Sequence, residues 1–266
     1  MKKPTIAICY DFDKTLSPKN MQEFKFFNDI GFSRVVLARE LSIDQIKQIH
    51  NDNPELELEA FVHGALCVSY SGQCCLSQFI GGRSANRGQC AQPCRKKYSL
   101  LNDKGDYLIK NKHLLCLKDF NASKHIKELI DAGVFSFKIE GRLKDVNYVK
   151  NVVAFYRQKI DKFAKKSSSG QVFIDFEPNV NKSFNRGFTD YFLKNRGEIF
   201  NFNSPKSIGE KIGKIEFVDK NYFIIKNHNL HPQDGLYFNN NGCLVNKVEG
   251  NKIFPNKMNG IKKGII

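Results

Sequence analysis

The chain has 266 residues, with 42 lysines and arginines against 27 aspartates and glutamates, and eight cysteines. A hydrophobic fraction of 41% supports one large or two modest cored domains and excludes wholesale disorder. No apolar run nears the ~18 residues that a membrane span needs, so no membrane partner is expected.

Residues 5–10 read as a short buried strand that Asp11 and Asp13 cut off. Behind Lys2 and Lys3 this is too short for a signal peptide, so the cysteines are expected in a reducing cytoplasm. Residues 24–30 are amphipathic and helical, and the β-branched run 34–38 predicts a strand. Ser42 opens a helix to His50, with Gln45 completing a capping box. A strand over 57–62 leads into a long loop rich in Gly and Cys. A helix over 121–132 is closed by Gly133, and a strand over 134–139 follows. Residues 145–166 form a long basic helix with Val149, Val152, Val153, Tyr156 and Ile160 as its apolar positions. The Ser-Ser-Ser-Gly run at 167–170 reads as a linker. Beyond residue 208, alternating runs at 212–218, 222–226, 235–238 and 243–248 describe a small β domain.

Strand–helix alternation up to residue 166 predicts α/β structure with parallel βα units. Three strands end in chemically capable residues: Arg39 and Glu40 after the first, His63 after the second, Glu140 and Arg142 after the third. In a (β/α) barrel such ends converge on one active rim. Charged strand ends also occur simply because loops are wet, but three together favour a site.

The net charge of +15 is uneven. Residues 1–94 carry ten basic and ten acidic side chains, whereas residues 95–166 carry eighteen against eight and residues 205–266 ten against five. Charge confined to two segments is the footprint expected for a polyanion, and it favours a phosphate-backbone partner over a merely solvated surface.

Cys67, Cys74, Cys75, Cys90 and Cys94 share one loop-rich stretch. Thiolates are soft ligands suited to zinc or an iron–sulfur cluster. Zinc knuckles place ~2–4 residues between paired ligands. Only Cys90 and Cys94 do so here, which ranks iron–sulfur ahead of zinc and inert thiols third. Cys9, Cys116 and Cys243 are isolated and read as small buried hydrophobes.

The run Glu59-Ala60-Phe61-Val62-His63-Gly64-Ala65-Leu66-Cys67, continued by Tyr70-Ser71-Gly72-Gln73-Cys74-Cys75-Leu76-Ser77, resembles the signature of the collagenase-like peptidases, family 32 of the unclassified (U) peptidases. The flanks agree: residues 34–41 before it, then Ser84-Ala85-Asn86-Arg87-Gly88, Cys90-Ala91-Gln92-Pro93-Cys94-Arg95, Phe137-Lys138-Ile139-Glu140-Gly141-Arg142 and Asn185-Arg186-Gly187-Phe188-Thr189. Relatives in this family include hydroxylation proteins that act on tRNA uridine, rRNA cytidine or the ubiquinone ring and carry a 4Fe-4S cluster. The resemblance implies the tRNA-type branch, with cluster ligands Cys67, Cys74, Cys90 and Cys94, and with Cys75 and Cys116 as rival ligands. Prephenate is implied as a donor, and tRNA or another RNA, with no DNA, as the partner. His63, Glu59, Glu140 and Arg142 are the implied catalytic residues, and Arg39, Arg95 and Lys138 would bind an anionic molecule or RNA. A peptidase acting on proteins and a zinc-stabilised RNA-binding module are the alternatives.

The resemblance also implies a partial TIM-type barrel. The strands at 34, 57 and 134 match the last three of eight, in a segment 24–166, followed by a linker and motif region 167–204 and a small β domain 205–266 that stops early. Residues 1–23 resemble instead the start of a haloacid-dehalogenase-type phosphatase, with Asp11 as nucleophile and Asp13 as acid, but without the rest of that site. A barrel short of five strands is expected to unfold non-cooperatively and to show little activity.

Overall fold

The computed structural model describes residues 29, 31–70, 73–164, 173–194, 197–238 and 241–265. The segment resembling a phosphatase start, the helix expected over 24–30 apart from Asp29, and the serine-rich linker all lie outside them.

Two compact units are present, divided between Lys206 and Ser207. In the first, β1 (Arg34–Val36) lies parallel to β2 (Glu57–Gly64), which lies parallel to β6 (Val134–Ile139). Between β1 and β2 runs α1 (Ile43–Asp52), opened by Ser42 and Gln45 in the expected capping box. Its Ile43, Ile46 and Ile49 recur at helical spacing and are buried.

Strand β2 decides the site. Its Leu58, Ala60 and Val62 are buried with the isoleucines of α1 and with Ile126 and Leu129 of α3 (Ile126–Asp131). The two-residue period then places Glu59, Phe61 and His63 on the opposite face. The last residues of β2 run past the end of β1, and there β5 (Asp119–Asn121) pairs antiparallel, carrying β7 (Phe188–Thr189) beside it. The mixed α/β class expected from the alternation is what the chain adopts, but this antiparallel strand breaks the purely parallel pattern.

The helix expected over 121–132 is shorter than its pattern. Asn121 turns its side-chain carbonyl onto the Ser123 amide, 3.0 Å away, and this local bond competes with helix until Ile126. Helix α4 (Val146–Ile160) opens at Asp145, whose Oδ1 accepts from the Tyr148 amide at 2.8 Å. It buries Tyr148, Val152, Ala154 and Tyr156, whereas Val149 and Val153, expected in the core, face outward. Inside the cysteine-rich stretch α2 (Leu76–Gly81) is a short helix. Residues 98–112 form a hairpin of β3 (Tyr98–Leu101) and β4 (Tyr107–Lys112) that sequence reasoning missed. The turn signal Asn102-Asp103-Lys104-Gly105-Asp106 was available to find it: the Asn102 side chain accepts from the amides of Lys104 and Asp106.

The second unit is a five-stranded sheet in the order β10 (Gly235–Phe238), β11 (Asn241–Glu249), β12 (Lys252–Pro255), β9 (Phe223–Ile224), β8 (Phe217–Val218), antiparallel throughout. Phe223, Val245, Ile253 and Cys243 fill its core. Strands β8 and β9 are shorter than their hydrophobic runs, and β12 was not expected.

Candidate functional site

The C-terminal ends of β1, β2 and β6 meet through backbone first. The Glu140 amide donates to the His63 carbonyl at 2.8 Å, and Gly64 passes against the Glu140 carbonyl at a φ of +114°. A Cβ at position 64 would collide with that carbonyl, so only glycine allows the approach. Side chains then close the rim. Arg39 Nη2 lies 3.5 Å from Glu140 Oε2, Arg39 Nη1 donates to the Ala65 carbonyl at 3.3 Å, and its guanidinium carbon stands 3.8 Å from the centre of the Phe61 ring. The Arg142 amide donates to Glu140 Oε1 at 3.3 Å, while its guanidinium is exposed and faces Gly88 of the cysteine loop. Arg39 from the end of β1 and Glu140 and Arg142 from the end of β6, predicted separately, thus form one group.

Glu59 and Lys138 lie on the same sheet face. Lys138 Nζ is 3.8 Å from Glu59 Oε1, and Glu59 also accepts from Ser136 at 2.8 Å and pairs with Arg34 at 3.6 Å. These carboxylate oxygens are already engaged.

His63 is 1% exposed, ringed by Tyr148, Tyr156 and Phe188. Burial lowers its pKa to about 4, so the imidazole is neutral at physiological pH. Tyr156 Oη donates to the Val62 carbonyl at 2.6 Å and therefore accepts from His63 Nδ1, 3.3 Å away, which puts the imidazole proton on Nδ1. His63 is a packed, oriented residue rather than an exposed water activator.

The cysteine loop is stitched from both ends. Buried Ser77 of α2 accepts from the Ala91 amide at 2.9 Å. Gln92 adopts a left-handed φ of 53°, and its amide donates to Cys90 Sγ at 3.3 Å. Burial pushes the Cys67 and Cys94 thiols up. Ionisation of Cys67 is further opposed by Cys74 and Cys90 and favoured by the Ser69 amide and Arg39. Cys94 feels Cys67, Cys90 and Cys116 against the favourable Arg95. Thiols gathered in one loop beside the guanidinium groups of Arg39 and Arg95 are a donor set whose chemistry suits a thiolate-bound metal centre. Among the described residues no three His, Cys, Asp or Glu side chains stand close enough together to grip an ion as they are. Cys75 is exposed at the start of α2, and Cys116 is fully buried.

Arg95 corrects an expectation. It was predicted to bind substrate, but its guanidinium is directed into the protein, donating to Leu66 O (2.9 Å), Leu117 O (2.8 Å) and Cys116 Sγ (3.1 Å). Two further residues were missed as participants. Arg186 pairs with buried Asp119 at 2.8 Å and fixes β7 against β5, and its run of residues was visible in the sequence without a role. Lys144 lies 3.2 Å over the Phe184 ring, and its pKa is lowered by burial and by Arg186. No periodicity marks it.

The chain belongs to Peptidase family U32, whose family model matches residues 2–201. That match takes in most of the segment that resembled a phosphatase, and no comparison supports the phosphatase reading. The chain is similar to the 23S rRNA 5-hydroxycytidine C2501 synthase of Escherichia coli K12, 47% identical over 226 residues, covering 82% of this chain and 34% of that protein. It is also similar to tRNA hydroxylation protein P of the same organism, 31% identical over 222 residues, covering 66% and 48%. A third relative, named collagenase, from Porphyromonas gingivalis W83, is 34% identical over 256 residues, covering 88% and 62%. The chain therefore spans between about a third and under two thirds of these relatives. No solved structure matches it.

Proposed function

We propose that this chain acts in the oxidative modification of RNA, adding a hydroxyl group to a pyrimidine base in the cytoplasm. The observation that carries the reading is the 47% identity to a protein named for cytidine hydroxylation, in a chain that sets Cys67, Cys74, Cys90 and Cys94 in one loop at the Arg39–Glu140–Arg142 rim. Cys67, Cys74, Cys90 and Cys94 would hold a 4Fe-4S cluster, with Cys116 next in line through its coupling to Cys94. Such a cluster, when bound, supplies one-electron transfer.

The remaining roles fall to the rim. Arg142, exposed and oriented through its own amide by Glu140, presents a bidentate donor to a carboxylate or phosphate, and prephenate would be one such carboxylate. Arg39 neutralises Glu140 on one side and favours thiolate at Cys67 on the other. Lys138 completes the positive face, and His63 with Tyr156 holds the end of β2 where the rim needs it. The parallel order β1–β2–β6, with α1 and α3 packed on one face and the charged Glu59 and Lys138 on the other, supports reading these strands as part of a (β/α) barrel. No helix among the described residues is long and apolar enough to cross a membrane.

The test is anaerobic purification with iron and sulfide analysis, a visible absorbance spectrum, and mass spectrometry of RNA from cells lacking the gene. Broad absorbance lost in Cys74→Ser but kept in Cys75→Ser, with loss of one hydroxylated pyrimidine on deletion, is the expected result. Stoichiometric zinc without iron, or cleavage of denatured collagen that survives cysteine substitution, overturns it.

A further inference from the structure

The hairpin of β3 and β4 belongs to neither five-stranded sheet. All six residues of β4 are exposed, and so are Ser99, Leu100 and Leu101 of β3. Leu100, Leu101, Tyr107 and Leu108 are 46–62% exposed, an unusual apolar load for a ribbon with water on both faces. A lone two-stranded ribbon is marginally stable by its own pairing. Its base, however, is anchored: Tyr98 Oη donates to the Pro93 carbonyl at 2.9 Å, the His113 imidazole bonds the Arg95 carbonyl at 2.9 Å, and the His113 amide donates to the Phe202 carbonyl at 3.1 Å. The ribbon leaves the chain just after Cys94 and returns just before Cys116, so its base is anchored beside the thiol loop.

Charge identifies the occupant. Residues 96–112 carry five lysines and two aspartates. One of the two, Asp106, is tied into the turn by the Asn102 side-chain amide at 3.2 Å. Lys110 Nζ stands 4.3 Å from the centre of the exposed Tyr107 ring, which places a cation beside an aromatic face open to solvent. Lysines interleaved with an exposed aromatic and aliphatic side chains suit a single-stranded nucleic acid, whose phosphates meet the cations while an unstacked base lies on the ring. An apolar protein partner has no use for the lysines unless it is itself acidic.

We propose that the β3–β4 ribbon is the RNA-docking arm of this chain, gripping an unpaired loop through Lys97, Lys104, Lys110 and Tyr107 and presenting it to the cysteine site. This deepens the RNA-modifying reading and rests on it.

The experiment is fluorescence anisotropy of a labelled RNA stem-loop with a pyrimidine-rich loop, titrated with the full chain at several salt concentrations. Lys97→Ala/Lys104→Ala/Lys110→Ala is expected to bind at least tenfold more weakly. Its log–log salt slope should fall by about 2, as three single-strand phosphate contacts imply. Tyr107→Ala is expected to lose about tenfold, with Tyr107→Phe restoring it, since stacking needs the ring and not the hydroxyl. Every substituted side chain is exposed, so unchanged melting curves serve as the folding control. If wild type binds RNA and the triple variant binds it equally well with the same slope, the ribbon proposal is overturned while the RNA reading stands. If wild type binds no RNA, the RNA reading falls and the arm with it. Loss of binding to an acidic peptide with RNA binding intact gives the ribbon to a protein partner and also overturns the proposal.

Discussion

Arg95 Nη1 donates to Cys116 Sγ at 3.1 Å, and through Leu66 O and Leu117 O the same guanidinium joins the loop after β2 to the segment before β5. One side chain thus spans the two ends of the cysteine region. Replacing it by alanine leaves two inward-facing carbonyls and a buried thiol without their donor. We expect Arg95→Ala to lower stability by about 2–4 kcal/mol, read as the midpoint of urea unfolding. Arg95→Lys recovers little of this, because an ammonium group lacks the fork that reaches both carbonyls. Near-wild-type unfolding of either variant contradicts the bracing role.

Gly64→Ala tests the close approach of β2 to Glu140. The new methyl group would meet the Glu140 carbonyl at a φ that L-residues rarely adopt. Strain and displacement together should cost about 3 kcal/mol or more, seen in thermal unfolding, and shift Glu140 relative to Arg39. A stable Gly64→Ala protein would mean that β2 and β6 separate readily.

His63 makes acid stability a measurable quantity. Its folded pKa of about 4 lies below the ordinary 6.5, because burial disfavours the charged form. Between those values the unfolded chain binds a proton that the native chain does not, so stability is full above pH 6.5 and falls as pH drops towards 4. The loss attributable to this one group is about 3 kcal/mol. Urea unfolding of wild type and His63→Asn across that window should show a steeper pH slope for wild type; equal slopes would place the imidazole in contact with water.

Arg142 and Glu140 separate chemistry from stability. The Arg142 guanidinium is exposed, and the Arg39–Glu140 pair is half-exposed at 3.5 Å. We expect Arg142→Ala and Glu140→Gln each to change stability by no more than about 1 kcal/mol. The amount of hydroxylated pyrimidine, measured by mass spectrometry in cells, should fall at least tenfold. Wild-type levels of modified RNA in Arg142→Ala cells remove Arg142 from the site.

The legible part of the molecule was local. The Ser42–Gln45 capping box, the hydrophobic runs of β1, β2 and β6, the start of α4 and the cysteine spacing are contiguous signals, and each was readable in order. The convergence of Arg39, Glu140 and Arg142 was also within reach, since parallel strands carry their C-terminal ends to one rim whatever the details of packing.

What escaped depends on distance in sequence. The antiparallel β5 exists because β2 outruns β1 and leaves an edge to fill, which no pattern within residues 119–121 announces. The inward turn of Arg95 depends on carbonyls 22 and 29 residues away. The burial of His63 depends on rings contributed by α4 and β7. The sequence by itself determined the family, the α/β class and the grouping of five cysteines in one loop, because those rest on residue types and short spacings. Tertiary structure alone decided which charged groups are spent on internal bonds and which face outward, because only packing sets what surrounds each group and therefore its charge and its availability.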